Sequence, residues 1–139
     1  MSTDLNKRLL GRFTEFINTA SPELADELIA PQANFHVPGR VEPMIGPSGY
    51  LEIVAMMREG FPDVNWTPEE MVAEGDTVAV RFTMRGTHQG TFFGVAPTGT
   101  EITVQALALY RLAEGKIVGE HGAPDMLGLL QQIGAFPPA

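Results

Sequence analysis

The sequence predicts an α+β domain: a cone-shaped, curved antiparallel sheet packed on N-terminal helices. Three observations carry this expectation. Apolar residues recur at helical spacing over roughly the first sixty positions. The period then changes to two, and the strands that follow are joined by tight turns such as AEG at 113–115. Helices first and hairpins after is the order of an α+β fold. A length of 139 residues suits a single domain over 1–139 with one core.

Leu5, Leu9, Phe13, Phe16 and Ile17 lie three and four apart, which predicts a helix over 4–19. In SPELADELI, Ser21 can cap and Pro22 suits the first helical position. Leu24, Leu28 and Ile29 give a short apolar face, and Pro31 ends the helix. NFHV (34–37) reads as a short strand and PGRVEP (38–43) as a loop. GPSGYLEIVAMMREGF (46–61) predicts a third helix with Tyr50, Val54, Met57 and Phe61 on one side, closed by Gly60 and Pro62.

From Val64 and Trp66 onward, apolar and polar residues alternate. EGD (74–76) is a turn. Val78, Val80, Phe82 and Met84 alternate with Ala79, Arg81, Thr83 and Arg85 in a half-buried strand. FFGVAPTGT (92–100) is a loop, EITVQALALYRL (101–112) a strand and KIVGEHG (116–122) its return. Met126, Leu129, Leu130 and Ile133 form the face of a last short helix that Gly134 stops; Asp125 is its cap or, alternatively, a pocket acid.

The formal net charge is −8 and the nine basic residues are scattered, which excludes a nucleic-acid groove and an anionic membrane surface. The absence of cysteine excludes disulfides and thiolate chemistry. MSTDLNKRLLGRF has no continuous apolar segment of the kind that directs secretion, and no stretch approaches the roughly 18 apolar residues of a membrane span. The expectation is a soluble cytoplasmic protein. Its three histidines lack ligand spacing, so neither a metal nor another cofactor is expected. The sequence also lacks a phosphate loop and a Gly-x-Ser-x-Gly elbow. A sheet curled over helices leaves a mouth suited to a small hydrophobic ligand.

GTHQGTFFGVAPTGTEITVQALALYRLAEGKIVGEHGAPDMLGLLQQIG (86–134) resembles the SnoaL-like polyketide cyclases of the nuclear transport factor 2-like superfamily. GPSGYLEIVAMMREGFPDV (46–64) looks like the helix and strand start of the same family. The resemblance implies a homodimer with a deep apolar pocket. It implies an intramolecular aldol ring closure without metal or cofactor, driven by an aspartate acid/base, a histidine on the neighbouring strand and a polar residue near the first short strand. With the turn at 114–116 and the pair Pro124-Asp125 held in place, the aspartate falls on Gly122, the histidine on Ala108 and the polar group on or near His36.

Glycine and alanine cannot transfer a proton, so the resemblance alone does not carry the activity over. Strand parity offers a substitute. Tyr110 shares a face with position 108 and Glu120 with position 122, so the two can meet across the closing hairpin. Burial in an apolar cone would raise the carboxyl's pKa and suit it to act as a base. The catalytic candidates are therefore Glu120, His36 and Tyr110; the ligand-binding candidates are His36, Tyr110, His88 and Trp66. Each has a plainer reading. Glu120 is a solvated strand residue if a bulge before Gly122 resets parity. His36 is a strand-end polar group, His88 a loop pin and Tyr110 a core aromatic. His121 points away from the pocket. Met44, Met56, Met57, Met71, Met84 and Met126, with Trp66 and Phe93, are pliant lining or ordinary core.

Three functions remain open at this stage. One is cofactor-free proton-transfer chemistry, as a lyase or isomerase, on a small hydrophobic carbonyl compound. The second is non-catalytic binding of a small molecule. The third is a hydrolase or isomerase of another type, although no Asp-Arg-Asp set points to an epoxide hydrolase.

Overall fold

Helix α1 (Thr3–Thr19) starts where Ser2 accepts a hydrogen bond from the Leu5 amide at 3.1 Å, and it ends at Ala20 in the left-handed region. Its stripe buries Leu9, Leu10, Phe13, Phe16 and Ile17, whereas Leu5, in the first turn, lies beyond the core and is exposed. The computed structural model describes residues 2–137.

Helix α2 (Pro22–Leu28) is capped by Ser21, which accepts from the Leu24 amide. It passes directly into β1 (Ile29–His36). Pro31 therefore lies inside a strand and does not close the helix. It sits where the register of β1 breaks between Ile29 and Asn34, so its missing N–H costs no ladder bond there. A two-residue strand, β2 (Met44–Ile45), pairs back on β1 directly after the expected loop at 38–43. Helix α3 (Gly46–Gly60) buries Tyr50, Val54 and Met57.

The long strands follow as β3 (Asn65–Glu74), β4 (Thr77–Thr87), β5 (Glu101–Ala113) and β6 (Lys116–Pro124), and α4 (Met126–Gln132) closes the fold. The sheet order is β2-β1-β6-β5-β4-β3. Every junction is antiparallel except β1–β6, which is parallel, so the sheet is mixed where a wholly antiparallel one was expected. The cause is non-local: the first and last strands meet after the chain has crossed α3 and two hairpins, and no short-range periodicity encodes their direction.

Helices α1 and α3 cover the concave face. β5 alternates strictly, turning Ile102, Val104, Ala106, Ala108, Tyr110 and Leu112 inward. Asn18, near the end of α1, holds β3 by accepting from the Trp66 amide (2.8 Å) and donating to the Trp66 carbonyl (2.9 Å). A second apolar cluster of Phe61, Met84, Phe92, Ile102, Leu129 and Ile133 fills the end of the cone beneath α4. Among the described residues no helix is long and apolar enough to cross a membrane.

Candidate functional site

Between α3 and the concave face of β4–β6 lies a cavity of about 120 Å³. A cavity of this size holds about four waters, or one small organic group. Its wall is largely apolar: Val54, Met57, Trp66, Phe82, Ala106 and Ala108 all contribute. The closing hairpin sets the polar part. Tyr110 pairs with Glu120, Ala108 with Gly122 and Ala106 with Pro124, and all six residues line the cavity. The one register irregularity of this hairpin falls at Arg111/Leu112, next to the turn, so parity holds from Tyr110 onward. Glu120 is half-buried as a residue, but its carboxyl end is enclosed, and Oε1 is buried without a hydrogen-bond partner.

Gly122 leaves room for that carboxyl. A Cβ at position 122 would come within 3.2 Å of Glu120 Oε2. The longer side chain two residues earlier on the same strand face thus reaches into the space beside position 122.

Tyr50, from α3, is the site residue that sequence reasoning missed. It lies on the buried stripe of its helix, edge-on to Phe13 (5.0 Å between centroids) and Phe35 (4.6 Å). Tyr110 is edge-on to Phe13 at 5.3 Å. These rings hold both phenols against Glu120. Burial pushes the Glu120 carboxyl up to about 7, and hydrogen bonding from the Tyr50 and Tyr110 hydroxyls opposes the rise. Burial, together with the negative charge of Glu120, holds both phenols well above the ordinary tyrosine range. The signal available in the sequence was a tyrosine among apolar positions, whose hydroxyl must find a partner once buried.

The other candidates separate. His36 is among the residues that line the cavity. It pairs with His121 across β1–β6, and the two rings stack at 4.2 Å and 9°. Its neighbour Phe35 packs on Tyr50 inside, and its stacking partner His121 is exposed. His88 is not among the lining residues. It is fully buried against Phe61, and its Nδ1 accepts from the Thr98 amide at 3.2 Å and lies 2.9 Å from Thr98 Oγ1. It pins the loop before β5, which corrects its assignment to ligand binding. Trp66 lines the cavity, as do Met56, Met57, Met84, Met126 and Phe93; Met44 and Met71 do not. Asp125 is a helix cap, accepting from the Gly128 amide at 2.9 Å.

With this geometry in place, comparison with known proteins gives consistent results. The sequence profile of the SnoaL-like polyketide cyclases matches residues 7–133. Aklanonic acid methyl ester cyclase DnrD of Streptomyces peucetius is 28% identical over 138 residues, 96% of this chain and 92% of its own. Nogalonic acid methyl ester cyclase of Streptomyces nogalater is 29% identical over 120 residues, 84% of this chain and 88% of its own. Among solved structures, the candidate polyketide cyclase IdmH of Streptomyces antibioticus superposes with a TM-score of 0.84 at 32% identity, covering 93% of this chain and 98% of that one.

Proposed function

This chain belongs to the SnoaL-like polyketide cyclase family, and from that premise we propose that it is a cofactor-free enzyme moving a proton on a small hydrophobic carbonyl compound, with Glu120 as the base. One observation carries the reading: the buried carboxyl end of Glu120, which burial pushes up to about 7, sits in a largely apolar cavity beside the phenol on its paired residue. A base whose pKa lies near the working pH combines a useful ionised fraction with real basicity, and such a group contributes about 10²–10⁴-fold.

Ionised Glu120 takes a proton from the carbon next to a substrate carbonyl. The C–H electron pair forms the enolate, and the negative charge settles on the carbonyl oxygen, to which the Tyr110 hydroxyl donates. The enolate carbon then attacks a second carbonyl of the same molecule, forming a C–C bond. The protonated Glu120 returns its proton to the new alkoxide. Reprotonation of the enolate at another carbon would instead give an isomerisation.

The names of the relatives, cyclases of aklanonic and nogalonic acid methyl esters, supply the first compounds to test. Each is incubated with the protein and product formation followed by chromatography and mass spectrometry. Glu120→Gln is expected to lose about a hundredfold or more in turnover, while His36→Ala retains most of it. Full turnover by Glu120→Gln sinks the assignment of the base. The second reading, a non-catalytic small-molecule binder, is favoured by Ala108 and Gly122, which place no titratable group in their part of the wall. A ligand retained through purification, bound equally by Glu120→Gln and never turned over, supports it.

The proposal includes a homodimer formed over the convex face of the sheet, where Val72, Leu107 and Leu109 are 65%, 59% and 46% exposed. Light scattering on a sizing column is expected to give twice the chain mass, and Leu107→Arg the mass of one chain. A cytoplasmic location completes the proposal, with cell fractionation as its check.

A further inference from the structure

The chain has two tyrosines against eight phenylalanines. Both tyrosines converge on the enclosed carboxyl of Glu120, although one comes from α3 and the other from β5. The rings packed around Tyr50 are Phe13, Phe16 and Phe35, none of which carries a polar atom. Packing alone would be served by a phenylalanine at position 50, and burying a hydroxyl costs free energy unless it is used. Glu120 Oε1, buried and unpartnered, also leaves the cluster with an acceptor to spare.

We propose that Tyr50 is a second catalytic hydroxyl, acting with Tyr110 as a two-donor cradle for the oxygen of an enolisable ketone or β-dicarbonyl compound bound in the cavity. The inference rests on the proton-transfer reading above and deepens it by naming the substrate class. The two donors serve both ends of the reaction. Before transfer, the negative charge is on Glu120, and the two hydroxyls favour the ionised form against the burial that opposes it. After transfer, Glu120 is neutral and the charge is on the substrate oxygen, so the same hydroxyls follow it. No new donor has to be brought in, and donors already fixed by surrounding rings lose little freedom at that moment.

The test uses 4-nitrophenol, whose acidic hydroxyl stands in for an enol, and 4-nitroanisole, the same ring with its oxygen methylated. Dissociation constants are measured by calorimetry on the full chain. Wild type is expected to prefer the phenol, and Tyr50→Phe to bind it roughly ten- to a hundredfold more weakly with nitroanisole affinity unchanged. Tyr50→Phe is expected to cause the same loss in the Glu120→Gln background, which separates this inference from the identity of the base. As a second measurement, labelling with 3-fluorotyrosine gives one ¹⁹F signal per tyrosine, assigned with Tyr110→Phe. Both signals are expected to move with nitrophenol and far less with nitroanisole. The proposal is overturned by a Tyr50→Phe protein that weakens both compounds alike or neither, by a Tyr50 signal indifferent to nitrophenol, or by a cavity that takes neither compound.

Discussion

The enclosed carboxyl makes a quantitative claim about stability. Glu120 is raised from its ordinary 4.5 to about 7, so the fold holds its proton more tightly than the unfolded chain does. Below pH 4.5 the group is protonated in both states and costs nothing. As pH rises through 7 the folded protein must bury a charge that the unfolded chain leaves in water, and stability is lost. At about 1.4 kcal/mol per pH unit of difference, the loss is about 3 kcal/mol, complete above pH 7. Glu120→Gln removes the titration and keeps the shape. Urea unfolding of both proteins between pH 4.5 and 8.5 isolates it, because the other charges are common to both and largely cancel in the difference. The variant is expected to gain about 3 kcal/mol on wild type across that range, most of it between pH 5 and 7. A stability difference that stays flat with pH refutes the reasoning, since it means the carboxyl is hydrated and titrates normally.

Three further outcomes follow from neighbouring features. Tyr110→Phe removes a donor that favours the ionised carboxyl, so the Glu120 titration moves further upward, read by ¹³C NMR of the side-chain carboxyl. Asp125→Ala takes away the hydrogen bond to the Gly128 amide and is expected to cost about 1 kcal/mol in urea unfolding. Gly90→Ala drives a methyl group into the Glu59 carbonyl oxygen, a backbone atom that cannot swing aside. Its cost is expected to be about 3 kcal/mol or more, seen as a large fall in Tm.

Much of the fold is legible from local pattern. The stripe of α1, the Ser21-Pro22 start of α2 and the period-two runs of β4 and β5 need only neighbours three, four or two positions away. The pairing of Tyr110 with Glu120 was legible for the same reason, because a tight turn fixes the register of both strands at once. The structure departs where a contact is distant in sequence. β1 lies parallel to β6, Pro31 sits in a strand bulge, and His36 stacks on His121 across that junction. His88 had two readings, loop pin and ligand contact, because a buried loop histidine and a ligand-facing one share the same local sequence; the position of Thr98 favours the pin.

The sequence by itself determined the element order, the cone, the family and the strand face that carries Glu120. Those depend on periodicity and turn chemistry, which act over a few residues. Only the tertiary structure decided that Tyr50 of α3 closes over Glu120 and Tyr110, and that the carboxyl reaches the space left open at Gly122. A helix packing on a sheet fixes such contacts through the shape of the whole core, and a residue sixty to seventy positions away leaves no mark on the local pattern.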